Sequence, residues 1–356
     1  MMKTTTILLV VCIASFVLYS CQTKTDSYIP LFENFDLKSK KVKSLDDLFG
    51  KKAKYISLET SADESLIGKI NKIIKRKESF FILSDDKRIL QFDSNGKFVT
   101  VLDKQGNGPE EYTMINDFNL YVNNENEIEI WINDFSKLRK YKYANSSWTE
   151  FAKLEYPYVV NKFHIINKNK LLLLTGQNAN CLTVSDGVGN EITTFMESKI
   201  PFLVFKPVQF INFSDDIIFQ KGVSNGCVVF STLDNTFKEQ EIISQSSFLT
   251  SNQLLDLFET YEYDYLRELS NYSYIRTLRD IQKCTLIEFF MNGHRYVSVS
   301  TKHEGWKHLS YDPQSIQENK DLSCLSTIGI GDSADSFVMF KTNDNEDCNP
   351  IIIEYY

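Results

Sequence analysis

The sequence lacks the features that mark a membrane-spanning helix or a structural metal site. Its longest apolar run, residues 7–18, is shorter than the roughly 20 residues that a helix needs to cross a bilayer. None of the seven cysteines forms a Cys-x-x-Cys pair, and the four histidines show neither His-x-His nor His-Glu-x-x-His spacing. Local motifs therefore give no metal ligands and no cofactor.

The chain also has fewer positively charged than negatively charged side chains. The chain has 39 Lys and Arg residues against 47 Asp and Glu residues, a formal net charge of −8. Such acidity opposes binding to nucleic-acid phosphates, so no nucleic-acid partner is expected. Apolar residues are plentiful: 42% of the chain is hydrophobic and 13% is aromatic, which is enough for a large core and excludes a disordered chain.

The N-terminus has the pattern of an export signal. A positive charge, the apolar run and a small residue before Cys21 predict that residues 1–20 are a signal peptide. The stretch Leu18-Tyr19-Ser20-Cys21 resembles the bacterial lipobox, which implies acylation of Cys21, with palmitate as an expected chain, and a membrane anchor. Gln22 at the next position implies the outer membrane by the same resemblance. The alternative is an ordinary signal with an incidental cysteine.

The residue pattern changes near residue 50, from a polar segment to short strand-like runs. Residues 21–50 are polar and lysine-rich, and they predict a lipidated tether with one helical turn at 44–49. Residues 51–356 are predicted to form one domain of short strands separated by turns, which is typical of a sandwich, a barrel or a propeller. The strand-like runs are AKYIS, FFIL, RILQFD, KFVTVLD, DFNLYV, IEIWI, LRKYKY, KFHII, KLLLLT, DIIFQ and GCVVFS.

A repeat decides among these all-β folds. FILSDDKRILQFD aligns with WINDFSKLRKYKY, so that Asp85 falls on Asp134. Weaker copies follow at 163–196, 209–243 and 284–311, and the last strands lie at 336–341 and 350–355. A period of about 40 to 50 residues with four strands per unit is typical of propeller blades.

The predicted fold is a six-bladed β-propeller of four-stranded antiparallel blades. Five whole units and one partial unit are present, and the strand near residue 56 is expected to complete the last blade and close the ring. Closure protects sheet edges from pairing with other chains. Residues 251–283 interrupt the pattern with mixed helical spacing and many tyrosines, and they predict a partly helical insertion between blades four and five.

The turn GNGPEEY, residues 106–112, lies between two strand runs. Two glycines after a strand resemble the start of a phosphate-binding loop, but Pro109 has no N–H to donate, and Glu110 and Glu111 would repel an anion. Phosphate binding is therefore not expected at this turn.

The turn instead resembles part of the six-bladed β-propeller lipoproteins of Bacteroidetes, relatives of the NHL and TolB-like propellers. The resemblance covers residues 50–356 and implies a lipid-anchored propeller. The resemblance is carried by Phe92, Asp93, Gly96, Lys97 and Phe98 in a blade-ending hairpin, and by Gly106, Gly108, Pro109, Glu111 and Tyr112 in the interblade turn. Further matching residues are Leu58-Glu59-Thr60 and Ile67-Gly68-Lys69-Ile70 before blade one, and Asn349-Pro350 at the closing strand.

The residue types of the turn predict a structural corner. Gly106 and Gly108 would adopt positive φ, Pro109 would hold Gly108 extended, and Tyr112 would bury its ring with its hydroxyl paired. The alternative is that Glu110 and Glu111 face solvent and contact a ligand, because loops on rigid scaffolds often carry function.

Two further patterns bear on function. Tyr261, Tyr263 and Tyr265 offer an aromatic recognition surface, with packing of the insertion onto the propeller as the alternative. Ser224 lies in a Gly-x-Ser-x-Gly match, but strands on both sides exclude the strand-to-helix turn of a hydrolase nucleophile.

With no catalytic residue assigned, we expect a non-enzymatic binding or scaffold protein of the cell envelope, whose partner is an envelope protein or a glycan. The alternative is a propeller hydrolase or lyase with a metal in its central funnel.

Overall fold

The structure is a computed structural model that describes residues 30–50, 53–176, 178–280, 284–301, 305–311, 329, 337–341, 343 and 348–355. The predicted signal peptide 1–20, Cys21, His303 and Cys324 lie outside these residues. None of the helices in the described part of the chain is long and apolar enough to cross a membrane.

The described strands form six sheets, one for each blade, and all neighbouring strands of the blades run antiparallel except where β1 joins blade five. Two strands precede blade one: β1 (Lys40–Val42) and β2 (Ala53–Ser57). Blade one contains β3 (Ile70–Arg76), β4 (Ser79–Ser84), β5 (Ile89–Asp93) and β6 (Phe98–Leu102). Blade two contains β7 (Asp117–Val122), β8 (Ile128–Asp134), β9 (Lys137–Ala144) and β10 (Ser147–Glu155).

The later blades repeat this order. Blade three contains β11 (Val160–Asn167), β12 (Lys170–Thr175), β13 (Asn180–Asp186) and β14 (Glu191–Glu197). Blade four contains β15 (Phe210–Phe213), β16 (Asp216–Gln220), β17 (Gly226–Ser231) and β18 (Phe237–Glu241). Blade five contains β19 (Tyr274–Asp280), β20 (Cys284–Met291), β21 (His294–Thr301) and β22 (Gly305–Tyr311), and blade six contains β23 (Phe337–Lys341) and β24 (Ile351–Tyr355).

The blades are arranged as a ring around a central axis. The first strands of neighbouring blades touch, as β3 does with β7, β7 with β11, and β15 with β19, so the first strand of each blade lines the axis. Six apolar clusters occupy the spaces between consecutive blades, including the one between blades six and one. The predicted six-bladed all-β propeller is therefore confirmed.

The N-terminal strand closes the ring as predicted. β2 pairs with β24 over five residues, from Ala53 opposite Tyr355 to Ser57 opposite Ile351. Gly329 pairs with Val338 on the other edge of β23, in the position of the inner strand of blade six. Asn349, which matches the family pattern, fixes the connection after β2, because its side chain accepts from Ile67 N and donates to the carbonyls of Glu59 and Ser65.

Packing on the propeller begins before the predicted domain boundary at residue 51. Leu31 N donates to Glu241 O at 2.9 Å, and Phe35 is buried between blades four and five. β1 adds to the outer edge of blade five, parallel to β22. The predicted helical turn is present as α1 (Leu45–Phe49), capped by Ser44. Residues 31–49 therefore form a strap across blades four, five and six. The few apolar side chains that fix it are spaced too irregularly to predict from the sequence.

The insertion between blades four and five ends earlier than the predicted residue 283. It contains α2 (Ser251–Tyr261), α3 (Tyr265–Glu268) and short 3₁₀ turns at Glu262–Asp264 and Leu269–Asn271. The segment from Tyr274 onward is β19, the inner strand of blade five, which pairs with β20. The prediction was wrong here because charged residues and a bulge near Thr277 hide the strand alternation.

Candidate functional site

The interblade turn GNGPEEY forms the corner between β6 and β7. Gly106 N donates to Tyr112 O, and Tyr112 N donates to Lys104 O, both at 3.0 Å. Neither Gly106 nor Gly108 is among the residues with positive φ, so the predicted reason for these glycines is wrong.

Glu111 supplies the physical reason for both glycines. Its carboxylate folds back over the turn and accepts a hydrogen bond from Gly108 N at 2.7 Å. A Cβ atom at Gly106 would lie 1.9 Å from Glu111 Oε2, and one at Gly108 would lie 3.0 Å from it. The glycines are required for close approach of a carboxylate, and Glu111 acts within the turn. Sequence alone could not show this, since the contact depends on the path of the folded loop.

Tyr112 is buried at the blade junction as predicted. Its hydroxyl donates to Lys87 O at 2.9 Å, and burial raises its pKa. Tyr141 of β9 meets the Tyr112 ring edge-on and donates its hydroxyl to Glu110 O at 3.0 Å. Two buried tyrosines thus fasten this connection to blades one and two.

Pro109 and Glu110 occupy the outer part of the corner. Arg139 Nη1 donates to Pro109 O at 3.2 Å, and Lys104 lies 3.3 Å from the exposed Glu110 carboxylate. Arg139 also forms ion pairs with Asp134 at 3.1 Å and with Glu150 at 2.5 Å. The turn is therefore held through its backbone by a buried arginine.

A cleft of about 550 Å³ lies between this turn and the β8–β9 hairpin. Its polar lining is largely engaged within the protein: Asp134 Oδ1 accepts from Thr113 N, Thr113 Oγ1 and Met114 N. Lys137 and Lys153 stand at the cleft with Glu111. The buried charged side chains that line the cleft already form hydrogen bonds and ion pairs within the protein. The cleft therefore has a structural role at the corner.

The Glu111 contact makes a testable prediction. Gly106→Ala should displace the Glu111 carboxylate from Gly108 N, so we expect a loss of about 1 kcal/mol in the free energy of unfolding, near the value of one net hydrogen bond. Glu111→Ala should cost a similar amount, and the double variant little more than either single one. Urea unfolding measures the three values, with Glu110→Gln as a surface control expected to change stability by less than about 0.5 kcal/mol. Additive losses in the double variant would contradict the contact.

The tyrosines of the insertion divide into two groups. Tyr263 is 71% exposed and Tyr261 is 45% exposed, whereas Tyr265 is 5% exposed and packs edge-on against Phe258. Tyr265 therefore belongs to the core and is removed from the predicted recognition surface. We define the aromatic surface by the exposed large side chains of the insertion: Tyr261, Tyr263, Leu266 and Tyr272.

The insertion that carries the aromatic surface is packed against the propeller through its buried side chains. Leu254, Tyr265 and Leu269 are buried in the cluster between blades three and four. The N-terminus of α2 carries a capping box, in which Thr250 and Gln253 exchange side-chain to backbone hydrogen bonds. Gly222, in the β16–β17 turn below, has φ of +60° and no room for a Cβ atom against Pro201 O. The exposed rings are thus presented on a rigid platform.

The nucleophile motif is confirmed as a turn. Ser224 is fully buried, and its hydroxyl donates to Lys221 O at 2.7 Å and lies 3.2 Å from Ser251 Oγ. Burial raises the pKa of the Cys181 thiol to about 12 and that of Cys227 further. Neither cysteine is therefore set up as a nucleophile, since the thiolate is the reactive form.

The described histidines do not converge. His308 lies in the outer strand of blade five and bonds to Ser39, Ser298 and Asp36 O, whereas His164 lies in the inner strand of blade three. Across the described part of the chain, no group of three His, Cys, Asp or Glu side chains is placed to hold a metal ion.

Charged side chains on the inner strands form a site that the sequence motifs did not reveal. Lys72 of β3 donates to Asp117 Oδ1 at 2.8 Å and to Phe118 O at 2.7 Å, and its side chain is 5% exposed. Lys162 of β11 lies 3.8 Å from the same Asp117 oxygen. The available signal was the pair of polar residues two positions apart in β7 (Asp117 and Asn119) and in β11 (Lys162 and His164).

One solved structure supports the fold by its similarity to this chain. Among solved structures, a Bacteroides fragilis NCTC 9343 protein named as an exported protein aligns with a TM-score of 0.65 at 15% identity, covering 89% of this chain and 98% of its own. A luciferin-regenerating enzyme aligns with a TM-score of 0.44 at 7% identity, over 85% of this chain and 95% of its own. Comparison with curated proteins gives no match. The family model described as a domain of unknown function (DUF4934) matches residues 30–353. Because that match spans the strap and all six blades, the chain belongs to the DUF4934 family.

Proposed function

We propose that this propeller is a lipid-anchored, non-enzymatic binding protein of the cell envelope, of the Bacteroidetes propeller-lipoprotein type, and that its aromatic surface recognises a protein partner. The observation that carries this proposal is the exposure of four large side chains on one short insertion: 45% for Tyr261, 71% for Tyr263, 58% for Leu266 and 38% for Tyr272. Tyrosines supply rigid contact area at low cost in conformational entropy, so they are common at recognition surfaces.

The charge around these rings indicates the chemistry of the partner. The insertion carries five carboxylates and a single arginine between residues 251 and 273. An acidic surface with exposed rings favours a partner with lysines or arginines, which can pair with the carboxylates and lie over the tyrosines. Anionic glycans would be repelled by the same carboxylates, which are Asp256, Glu259, Glu262, Asp264 and Glu268.

The partner surface is tested by a matched pair of variants. Tyr261→Ala/Tyr263→Ala removes exposed rings from the insertion, and Tyr143→Ala removes a 47% exposed ring from blade two. Chemical crosslinking in intact cells, followed by purification of the propeller, should recover one defined protein with wild type and with Tyr143→Ala. The purified partner should then bind the double variant at least about tenfold more weakly, as is usual when central aromatic contacts are lost.

Three outcomes would contradict this proposal. Equal affinity of the double variant and wild type would remove the aromatic surface from recognition. Binding of a neutral or anionic glycan array with loss in the double variant would assign the surface to carbohydrate. Turnover of a substrate by the purified chain would remove the non-enzymatic assignment.

The anchor is a separate prediction. Cys21→Ser should move the protein from the membrane fraction to the soluble fraction of the envelope, because Cys21 is the proposed acylation site in the lipobox-like Leu18–Cys21. Stable anchoring needs more than one acyl chain, so loss of the acylated cysteine should release the protein. Immunoblotting of fractionated cells measures this, and Cys348→Ser, which changes a cysteine of the propeller, serves as the control. Unchanged membrane association of Cys21→Ser would contradict lipidation.

A further inference from the structure

Positive charge is concentrated where the inner strands meet the axis, although the whole chain is acidic. Four basic side chains come from the inner strands of blades one, three and five: Lys72, Lys162, His164 and Arg279. Lys206, on the connection that enters blade four, is linked to the strand of Arg279, because Gln220 Oε1 accepts from both Lys206 Nζ and Leu278 N. We call these five residues the inner-wall cluster.

The inner strands of blades one, three and five alternate around the axis, and Lys72 and Lys162 meet at the carboxylate of Asp117, at 2.8 and 3.8 Å. Burial lowers the pKa of Lys72, Asp117 opposes this effect, and the charges of Lys162 and Arg279 lower the pKa further. Burial likewise lowers the pKa of Lys206, with Arg279 and Arg276 adding to the effect. Blade one is adjacent to neither blade four nor blade five, so residues of the three blades interact only at the axis.

The described carboxylates do not balance these cations. Asp117 serves both Lys72 and Lys162. Glu288 lies near Arg279, but it also pairs with Arg295 at 2.5 Å and with Arg276 at 3.5 Å. Lys206 Nζ bonds only to neutral oxygens among the described residues, those of Gln220 and Gly222. Burial without a paired anion favours the neutral amine of Lys206, and an added anion would favour and stabilise the charged form.

Arg279 supplies an independent observation. It is 7% exposed; its Nη1 donates to Val208 O at 2.8 Å and to Leu278 O at 3.2 Å. Its Nε is buried and finds no acceptor in the described part of the chain. A guanidinium offers a planar edge that matches two oxygens of one anion. The unused donor therefore leaves part of that edge available.

We propose that the inner-wall cluster binds a small oxyanion, a carboxylate or a phosphate, with Arg279 as its principal contact and Lys162 as a second. This site is separate from the aromatic surface and does not depend on the proposed partner. His164 adds a neutral side chain near neutral pH, because burial and the charge of Lys72 lower its pKa to about 4. It can therefore donate or accept a hydrogen bond without adding charge.

Titration calorimetry tests the site with the purified full chain in a buffer free of phosphate and carboxylates, at constant ionic strength. The probes are inorganic phosphate and succinate. We expect saturable one-site binding of at least one probe with Kd of about 1 mM or tighter. Binding of phosphate alone would identify a phosphoryl ligand, binding of succinate alone a carboxylate ligand, and binding of both a general oxyanion site.

Variants then locate the binding. Arg279→Met should weaken it at least about tenfold, as expected for loss of a charge-assisted contact. Arg267→Met removes an arginine that is 83% exposed on the insertion, and it should leave affinity unchanged. If Arg279→Met does not fold, Lys162→Met provides the same test, since Lys162 is less deeply buried. No saturable binding of either probe, or equal affinity in the folded variants, would overturn the proposal.

Discussion

Deleting residues 53–60 is expected to unfold the whole propeller. The deletion removes β2, which forms the outer strand of blade six, and takes away the buried Ile56 and Leu58 between blades six and one. Each of these side chains contributes about 2 to 5 kcal/mol when truncated. Together with the exposed edge of β24, the loss is comparable to the roughly 5 to 15 kcal/mol that holds a typical domain together.

Thermal unfolding monitored by circular dichroism, with size-exclusion chromatography, measures the result. The matched control replaces Lys40–Val42 of β1 by three glycines. β1 adds a fifth strand to an already complete blade, so its loss should lower the melting temperature far less. A deletion variant that remains monomeric, with the melting temperature of the parent, would show that β2 does not close the ring.

Asp117→Ala is expected to cost about 3 to 5 kcal/mol, the range for removing one partner of a buried ion pair. Lys72, which is 5% exposed in the structure, would lose its carboxylate partner, and Phe163 N would lose an acceptor at 3.3 Å. Lys72→Met in the same chain should recover part of the loss, because it removes the unpaired charge.

Urea unfolding gives the free energies for this series. The control is Asp86→Ala, which breaks the Arg88–Asp86 pair on the surface, where Asp86 is 42% exposed. Exposed pairs contribute about 0 to 1 kcal/mol, so the control should be close to wild type. Equal losses for Asp117→Ala and Asp86→Ala would mean that the inner-wall pair is as well solvated as the surface pair.

The blade plan could be predicted from the sequence because it depends on local signals that repeat. The alignment of Asp85 with Asp134 has a structural basis, because each residue lies at the end of the second strand of its blade, where the chain turns into the third strand. Each accepts backbone N–H groups from the connection that enters the blade, Lys69 for Asp85, and Thr113 and Met114 for Asp134. Closure of the ring by the strand near residue 56 could also be predicted, because the last repeat unit of the sequence was incomplete and needed one more strand.

Features that depend on distant contacts could not be predicted in the same way. The role of Gly106 depends on where the Glu111 carboxylate folds, and the burial of Tyr265 depends on how the insertion packs on blades three and four. The inner-wall cluster gathers residues from separate blades, so no local motif joins its members. The strap was read as a tether because its few buried side chains show no regular period.

The pairing of β2 with β24 joins residues about 300 positions apart, since Ala53 lies opposite Tyr355. During synthesis, β2 emerges before the strands of blade one, but its partner β24 is made only after all the other described strands. Loop-closure entropy opposes such contacts, so chains dominated by them fold slowly. Until β24 has been made, β2 carries unpaired N–H and C=O groups that can pair with another molecule. The nascent chain therefore passes through a long interval in which protection by a chaperone would favour correct assembly.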